Sequence, residues 1–162
     1  MTTRADLDHI ARQWISLWCA PIDWALFDRL HAPQFEDCAS AGRPSDRAGF
    51  AGGLEKMVQA FPDLRTQVDD LVIDEARSAV AVRWSAVGTN RTRYLGAGPT
   101  HRSTRITGIE IVEIAEGRLV RRWGEWDVTD HLAAPASPAA PADDGHHRYP
   151  AGFSFPDRGQ GT

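Results

Sequence analysis

Trp123-Gly124-Glu125-Trp126-Asp127 sets two carboxylates among two indoles near the end of a strand-like segment. Side chains alternate along a strand, so Trp123, Glu125 and Asp127 share one face while Trp126 takes the other. A carboxyl group held against apolar rings loses hydration of its charged form. Its pKa then rises towards the range useful for proton transfer. This segment is the first place to look for general acid/base chemistry. The competing reading is structural, with the acids at the wet end of the strand and the tryptophans in the core.

Glu110 is a second candidate. Unbroken alternation puts it on one face with Ile106, Val112 and Ile114. A carboxylate on such a wall needs a partner or becomes an acid of raised pKa. Arg105, Arg121 and Arg122 are the partners close by in the hairpin. His101 follows a glycine-rich loop, where it can relay protons or orient a carboxylate near neutral pH, or simply be a surface residue. Asp127 can instead cap the segment from Val128 to Leu132, and His131 lies one helical turn after it. Trp14, Trp18, Trp84, Trp123 and Tyr94 could wall a site for an aromatic substrate, although stripes at helical or strand spacing more often build a core.

Other chemistries lack their signatures. There is no GxSxG, no Walker loop and no zinc-type ligand spacing, so no metal or cofactor is expected. His146-His147 is read as part of a solvated tail rather than a metal site. Lys56 is the only lysine and so the only Schiff-base candidate. Cys19 and Cys38 have no CxxC spacing and are expected to be small core residues in a reducing compartment.

The chain has 162 residues, 42% hydrophobic and 25% charged, which suits one ordinary domain with a workable core. Its formal charge of -4 gives no electrostatic case for nucleic acid. Met1 to Asp6 lacks an apolar signal core, and no run approaches the roughly 20 apolar residues that span a bilayer. A cytoplasmic location is expected.

The elements that must position the candidates follow from periodicity. Thr2 or Thr3 caps a first helix carrying Ile10, Trp14, Leu17 and Trp18, with Asp6 and Asp8 near its positive end. A short second helix turns Trp24, Phe27 and Leu30 inward and ends at Ala32-Pro33. Gln34 to Cys38 reads as extended. Ser45 or Asp46 caps a third helix with Phe50, Leu54, Met57, Val58 and Phe61, weakened by Gly49, Gly52 and Gly53. Strands are expected over Arg65 to Ile73, Ala79 to Gly88, Arg102 to Glu113 and Leu119 to Trp126. Thr89 to Thr100 is a loop able to cover a pocket, and Glu116-Gly117 is a hairpin turn. The ordered domain covers 1–132, and 133–162 is a flexible tail rich in alanine, proline and glycine. Helices first and antiparallel strands afterwards imply an α+β fold, with helices packed on one face of a curved sheet.

Several short motifs occur in a telling order. Phe61-Pro62-Asp63-Leu64, Ala79-Val80-Ala81-Val82-Arg83-Trp84, Gly88-Thr89, Leu95-Gly96 and Pro99-Thr100 come first. Gly108-Ile109-Glu110-Ile111, Glu116-Gly117-Arg118-Leu119-Val120 and the Trp123 to Asp127 ending follow. From Asp6 to Leu132 this series resembles the SnoaL-like polyketide cyclases of the nuclear transport factor 2-like superfamily. The resemblance implies a cone-shaped α+β barrel, a homodimer packed through its sheets, and a part in polyketide metabolism without metal or organic cofactor. The best-understood members close a ring by an intramolecular aldol reaction. Their acid/base carboxylate lies on the last strand, helped by polar residues that include a histidine on the preceding strand. In one register of the final strands the family's tryptophan-aspartate pair falls on Trp123-Gly124 and its histidine on Glu110. Glu110, Glu125 or Asp127 must then supply the carboxylate.

The expected function is cofactor-independent cyclisation of a polyketide-like small molecule in an apolar pocket. Asp127 or Glu110 removes a proton beside a carbonyl, with Glu125 a further candidate. His101 or an arginine such as Arg105 steadies the developing oxyanion. One alternative is epoxide opening, by water or an internal hydroxyl, which suits two carboxylates. The other is a non-catalytic ligand-binding dimer, which the glycine at position 124 keeps open.

Overall fold

A capping box starts the first helix, α1 (Arg4–Ser16): Thr3 accepts from the Asp6 backbone N–H while the Asp6 carboxylate accepts from that of Thr3. The computed structural model describes residues 2–128 of the chain. Leu7, Ile10, Ala11, Trp14 and Ile15 recur on one stripe of α1, and all are buried. Asp23 caps α2 (Trp24–Leu30) by accepting from the Leu26 N–H at 2.8 Å. Its buried residues are Leu26, Phe27 and Leu30. Trp24, expected to point inward, is 39% exposed, because the first position of so short a helix lies off that stripe; it packs edge-on against Phe27.

The chain leaves α2 directly into β1 (His31–Asp37), which begins earlier than the expected extended piece. Asp46 caps α3 (Arg47–Ala60). Gly49 and Gly53 lie one turn apart on α3 and let the preceding segment press against it. A Cβ on Gly49 would collide with the Pro44 carbonyl, and one on Gly53 would come within 2.8 Å of the Arg43 guanidinium. The glycines that weaken the helix by propensity thus permit its packing.

Four strands complete the domain: β2 (Arg65–Asp74), β3 (Ala79–Thr89), β4 (Ser103–Ala115) and β5 (Arg118–Asp127). Their order is β1-β5-β4-β3-β2, with β1 parallel to β5 and every other pair antiparallel. The sheet is curved and unclosed, with the three helices packed on it. Glu116 and Gly117 both take positive φ in the β4–β5 turn, the left-handed pair that a two-residue hairpin requires.

Residues facing the helices build the core. Val80, Val82, Trp84 and Ala86 on β3 join Ile106, Val112 and Ile114 on β4 and Leu119 on β5. Two register rows on this inner face matter for function. Trp84, Gly108 and Trp126 form one, and Val82, Glu110 and Gly124 form the next. On the outer face Val72, Ala81, Ile111 and Trp123 line up across four strands. Trp123 is thus an outer-face residue rather than core, and it is 37% exposed.

The cysteines are free, but neither is a core residue: Cys19 is half-buried and Cys38 exposed, the latter just past the buried end of β1. No helix among the described residues is long and apolar enough to cross a membrane. The end of the ordered domain at 132, the tail, His131 and His146-His147 lie outside the described residues.

Candidate active site

Strand parity decides which arginine meets Glu110. Because Glu110 pairs with Gly124 across β4–β5, the inner-face side chains of β5 come from Arg122, Gly124 and Trp126. Arg105 and Arg121 are exposed, and Arg122 is buried with Glu110. Its guanidinium grips the carboxylate with two bonds, Nε to Oε2 at 2.8 Å and Nη2 to Oε1 at 3.1 Å. The Trp126 indole N–H also donates to Oε1. Oε1 therefore receives two of these donors and Oε2 one.

Gly124 shapes the space beside that oxygen. A Cβ at this position would collide with Glu110 Oε2 and Arg122 Nη2. The carboxylate therefore occupies volume that any other residue at 124 would fill. Gly108 does the same for its neighbour, since a Cβ there would lie 2.7 Å from the Trp84 ring and 2.9 Å from its Nε1.

Arg122 has a second acid. Its Nη1 donates to Asp37 Oδ1 at 2.6 Å, and Arg43 Nη2 donates to Asp37 Oδ2 at 2.6 Å. The Ala39 N–H adds a bond to Oδ1. Both oxygens of Asp37 are thereby engaged, and it acts as an anchor for the two arginines. The Arg122 guanidinium also lies 5.4 Å from the Phe50 ring centroid and 5.9 Å from that of Trp126.

These charges sit in a dry setting. Glu110 and Asp37 are fully buried, and Arg122 is nearly so. Burial pushes the Glu110 carboxyl above its ordinary value, against the pull of Arg122 and of the Trp126 and Trp84 N–H groups. For Arg122, burial works against the charged form, but Glu110 and Asp37 outweigh it and hold the guanidinium's pKa above its usual value.

Three indoles close over the pair. Trp18 from α1 lies 4.7 Å from Trp84 and 5.3 Å from Trp126, ring centre to ring centre, and Trp84 lies 5.3 Å from Trp126. The contacts are edge-on or tilted, the geometry that aromatic quadrupoles favour. Trp18 and Trp84 bury their indole N–H groups without a hydrogen-bond partner. The Trp84 N–H still favours the charged form of Glu110, although it falls outside hydrogen-bond geometry.

A loop borders this cluster. Asn90 is fully buried and ties the loop's two ends together. Its N–H donates to the Arg102 carbonyl, its carbonyl accepts from the His101 N–H, and its Oδ1 accepts from the Thr100 N–H. Tyr94 packs edge-on against Phe61. Burial raises its phenol to about 12, and Arg43 and Arg122 are near enough to pull it the other way.

The residues singled out in the sequence fall into distinct places. Glu110, Trp18 and Trp84 come together with Trp126, which was not among the expected site residues, and with Arg122, one of the three arginines expected as partners of Glu110. Glu125 and Asp127 lie on the opposite face of β5 with Trp123, exposed. His101 is exposed at the base of the loop, with a positive φ. Arg105 is exposed on β4. Trp14 is buried one layer away and donates its indole N–H to His31 Nε2 at 3.1 Å.

His31 was not anticipated. Its Nδ1 lies 2.9 Å from the Phe27 carbonyl, so Nδ1 carries the proton and Nε2 accepts from Trp14. Burial lowers its pKa to about 4, which makes it a neutral, fully satisfied core histidine. Among the described residues no three His, Cys, Asp or Glu side chains gather in a way that could hold a metal ion.

Residues 8–134 match the family model described as SnoaL-like polyketide cyclase. Comparison with curated proteins gives no significant match. Among solved structures, TsrD from Streptomyces laurentii is similar with a TM-score of 0.73 at 18% identity, covering 82% of this chain and 96% of its own. AclR from Streptomyces galilaeus, named as a candidate hydroxylase, gives 0.70 at 19% identity over 81% of this chain and 96% of its own. IdmH from Streptomyces antibioticus, named as a candidate polyketide cyclase, gives 0.66 at 26% identity over 78% of this chain and 96% of its own.

Proposed function

As the chain belongs to the SnoaL-like polyketide cyclase family, we propose that it cyclises a polyketide-like small molecule with Glu110 as its acid/base group. The observation that carries this reading is the Glu110 carboxylate, buried on the inner face of the sheet in the grip of Arg122 and beside Trp84 and Trp126. In the proposed step Oε2 takes a proton from the carbon next to a substrate carbonyl. The C–H electron pair becomes the enolate, and the enolate carbon attacks a second carbonyl of the same chain. Protonated Glu110 then returns its proton to the new alkoxide, so no external oxidant or reductant is needed. A raised carboxyl pKa suits both halves of this exchange.

Arg122 orients Glu110, and Asp37 with Arg43 holds Arg122 in place. The indole walls exclude water and favour a folded substrate, a contribution that is large for ring closure. Placement on the exposed face of β5 argues against Glu125 and Asp127 as the base within this interior. Epoxide opening calls for a second working carboxylate. The nearest one, Asp37, has both oxygens engaged, which favours the one-carboxylate enolisation.

We also propose that two copies of the chain associate through the outer face of the sheet in the cytoplasm. Val72, Ile111 and Trp123 are all exposed on one register row there, and Ile109 is exposed beside them. The test of the chemistry is turnover of linear polyketone and epoxide substrates by the wild type and by Glu110→Gln. Loss of polyketone cyclisation in the amide variant, with the fold intact, is the expected result. Equal rates in the two proteins would remove Glu110 from the mechanism.

A further inference from the structure

Arg122 serves two acids with different nitrogens of one guanidinium, and the second acid is fixed by backbone as well as by side chain. Nε and Nη2 hold Glu110, and Nη1 holds Asp37 at 2.6 Å. Asp37 stands beside Arg122 in the parallel β1–β5 register. Its N–H donates to the Ser45 carbonyl at 2.7 Å, and the next N–H, that of Cys38, donates to the Arg122 carbonyl at 2.9 Å. The frame of the sheet thus holds Asp37 against the cation.

Arg43 extends this run of charges outward. Its Nη2 donates to Asp37 Oδ2 at 2.6 Å, and its guanidinium lies against α3 where Gly53 leaves room for it. The Arg43 side chain is 27% exposed, whereas that of Arg122 is 3% exposed and those of Asp37 and Glu110 are fully buried. Glu110, Arg122, Asp37 and Arg43 therefore alternate in sign from the interior to the surface. The other groups packed around them are neutral near pH 7. They are the rings of Trp18 on α1, Phe50 on α3, Trp84 on β3 and Trp126 on β5, with His31 on β1 and the Tyr94 phenol between β3 and β4.

A cation favours the ionised form of a carboxyl group, and a like charge nearby disfavours it. Asp37 does the second to Glu110, because it takes a share of Arg122 and adds a negative charge beyond it. Arg43 offsets Asp37 and so leaves more of Arg122 to Glu110. We propose that Asp37 and Arg43 are positioning residues that set the acidity of Glu110 in opposite directions, both acting through Arg122. This inference rests on the cyclase reading for its use, and it names how the acid/base group of that site is tuned. Neither residue touches the reacting atoms. Asp37 keeps Glu110 more basic than a lone glutamate–arginine pair would be, and Arg43 keeps it from holding its proton too tightly.

The test titrates the Glu110 carboxyl carbon by NMR in the full chain, labelled with carbon-13 at its glutamate carboxyls, and needs no substrate. Glu110→Gln assigns the signal by its loss. Asp37→Asn should lower the midpoint of that titration by about one pH unit, because Arg122 then serves Glu110 alone. Arg43→Gln should raise the midpoint by about as much, because Asp37 then draws harder on Arg122. Loosened packing does not imitate this pair, since admitting water lowers the midpoint in both variants. Should Asp37→Asn fail to fold, the upward shift in Arg43→Gln, at the outer end of the run, decides alone. Shifts of the same sign, or a Glu110 midpoint that stays put in either variant, would overturn the proposal. The pH limb of polyketone turnover should move with the carbon-13 midpoint, to lower pH in Asp37→Asn and to higher pH in Arg43→Gln. Opposite NMR shifts alongside full turnover in Glu110→Gln would uphold the tuning and strike only the assignment of the base, so the two readings fail separately.

Discussion

Gly124 stands opposite Glu110 in the β4–β5 register, and the Glu110 carboxylate fills the space that a side chain at 124 would take. Gly124→Ala should therefore push apart the Glu110–Arg122 pair. Overpacking of this kind costs about 1–3 kcal/mol, and cyclisation should fall with it. Gly52→Ala is the matched comparison, since a Cβ there meets nothing within 4 Å on a helix. That variant should gain roughly 0.5–1 kcal/mol. Urea melts of both proteins check the contrast, and a neutral Gly124→Ala would contradict it.

The pH profile of turnover should carry the signature of Glu110. A base must be ionised, and this carboxyl is held above the ordinary range by burial. Turnover at limiting substrate should rise with pH through that raised pKa. Glu110→Gln should lower the rate about 10²–10⁴-fold and lose this limb. A limb that persists in the amide variant would assign the titration to another group.

Arg122 is shared by two buried carboxylates and is the one cation that pairs with Glu110 among the described residues, so removing it should be costly. Arg122→Met leaves Glu110 and Asp37 buried without their shared cation, at a cost of about 3–5 kcal/mol. Adding Glu110→Gln to that variant should recover part of the loss, since one stranded charge goes. Additive effects in the double-mutant cycle would mean that the pair is not coupled in solution.

His31 predicts a separate dependence of stability on pH. Its folded pKa of about 4 lies below the ordinary 6.5, so the unfolded chain binds more protons between those values. The stabilisation is complete above pH 6.5 and is lost as pH falls towards 4. It amounts to about 3 kcal/mol at one pKa unit per 1.36 kcal/mol. His31→Phe should be less stable at neutral pH and should lose this acid-side slope. An unchanged slope would point to other groups.

Association through the sheet has a direct check. Trp123→Glu with Ile111→Glu places two like charges across the register on the outer face. Sedimentation should show the wild type as a dimer and the variant as a monomer, with the core undisturbed. A monomeric wild type would end the dimer reading.

The periodicity of the chain is enough to place most elements. Thr3 and Asp46 cap helices, and the alternation around Val80 and Val112 marks inner faces, because both signals are local. Glu110 among Ile106, Val112 and Ile114 was legible for the same reason. Arg122 as its partner was not, since the choice among three arginines depends on the register between β4 and β5. Asp37 was invisible at this level, because it reaches Arg122 only through the parallel pairing of β1 with β5. The Trp123 to Asp127 segment shows the limit most clearly. Its alternation is as expected, but the inner face belongs to Gly124 and Trp126, and nothing local says which parity faces the helices.

The buried Asn90 staple has one more consequence. The loop's ends are fixed to each other and, through the Arg91 N–H and the Ala60 carbonyl, to the end of α3. Beyond that knot, Tyr94 and Ala97 exchange two backbone hydrogen bonds and close a small turn of their own. The stretch 93–99 is thus a bracket, fixed at its base by the knot and a second time where the Tyr94 ring meets Phe61. Changes among its other residues that spare Tyr94 leave both fixings in place.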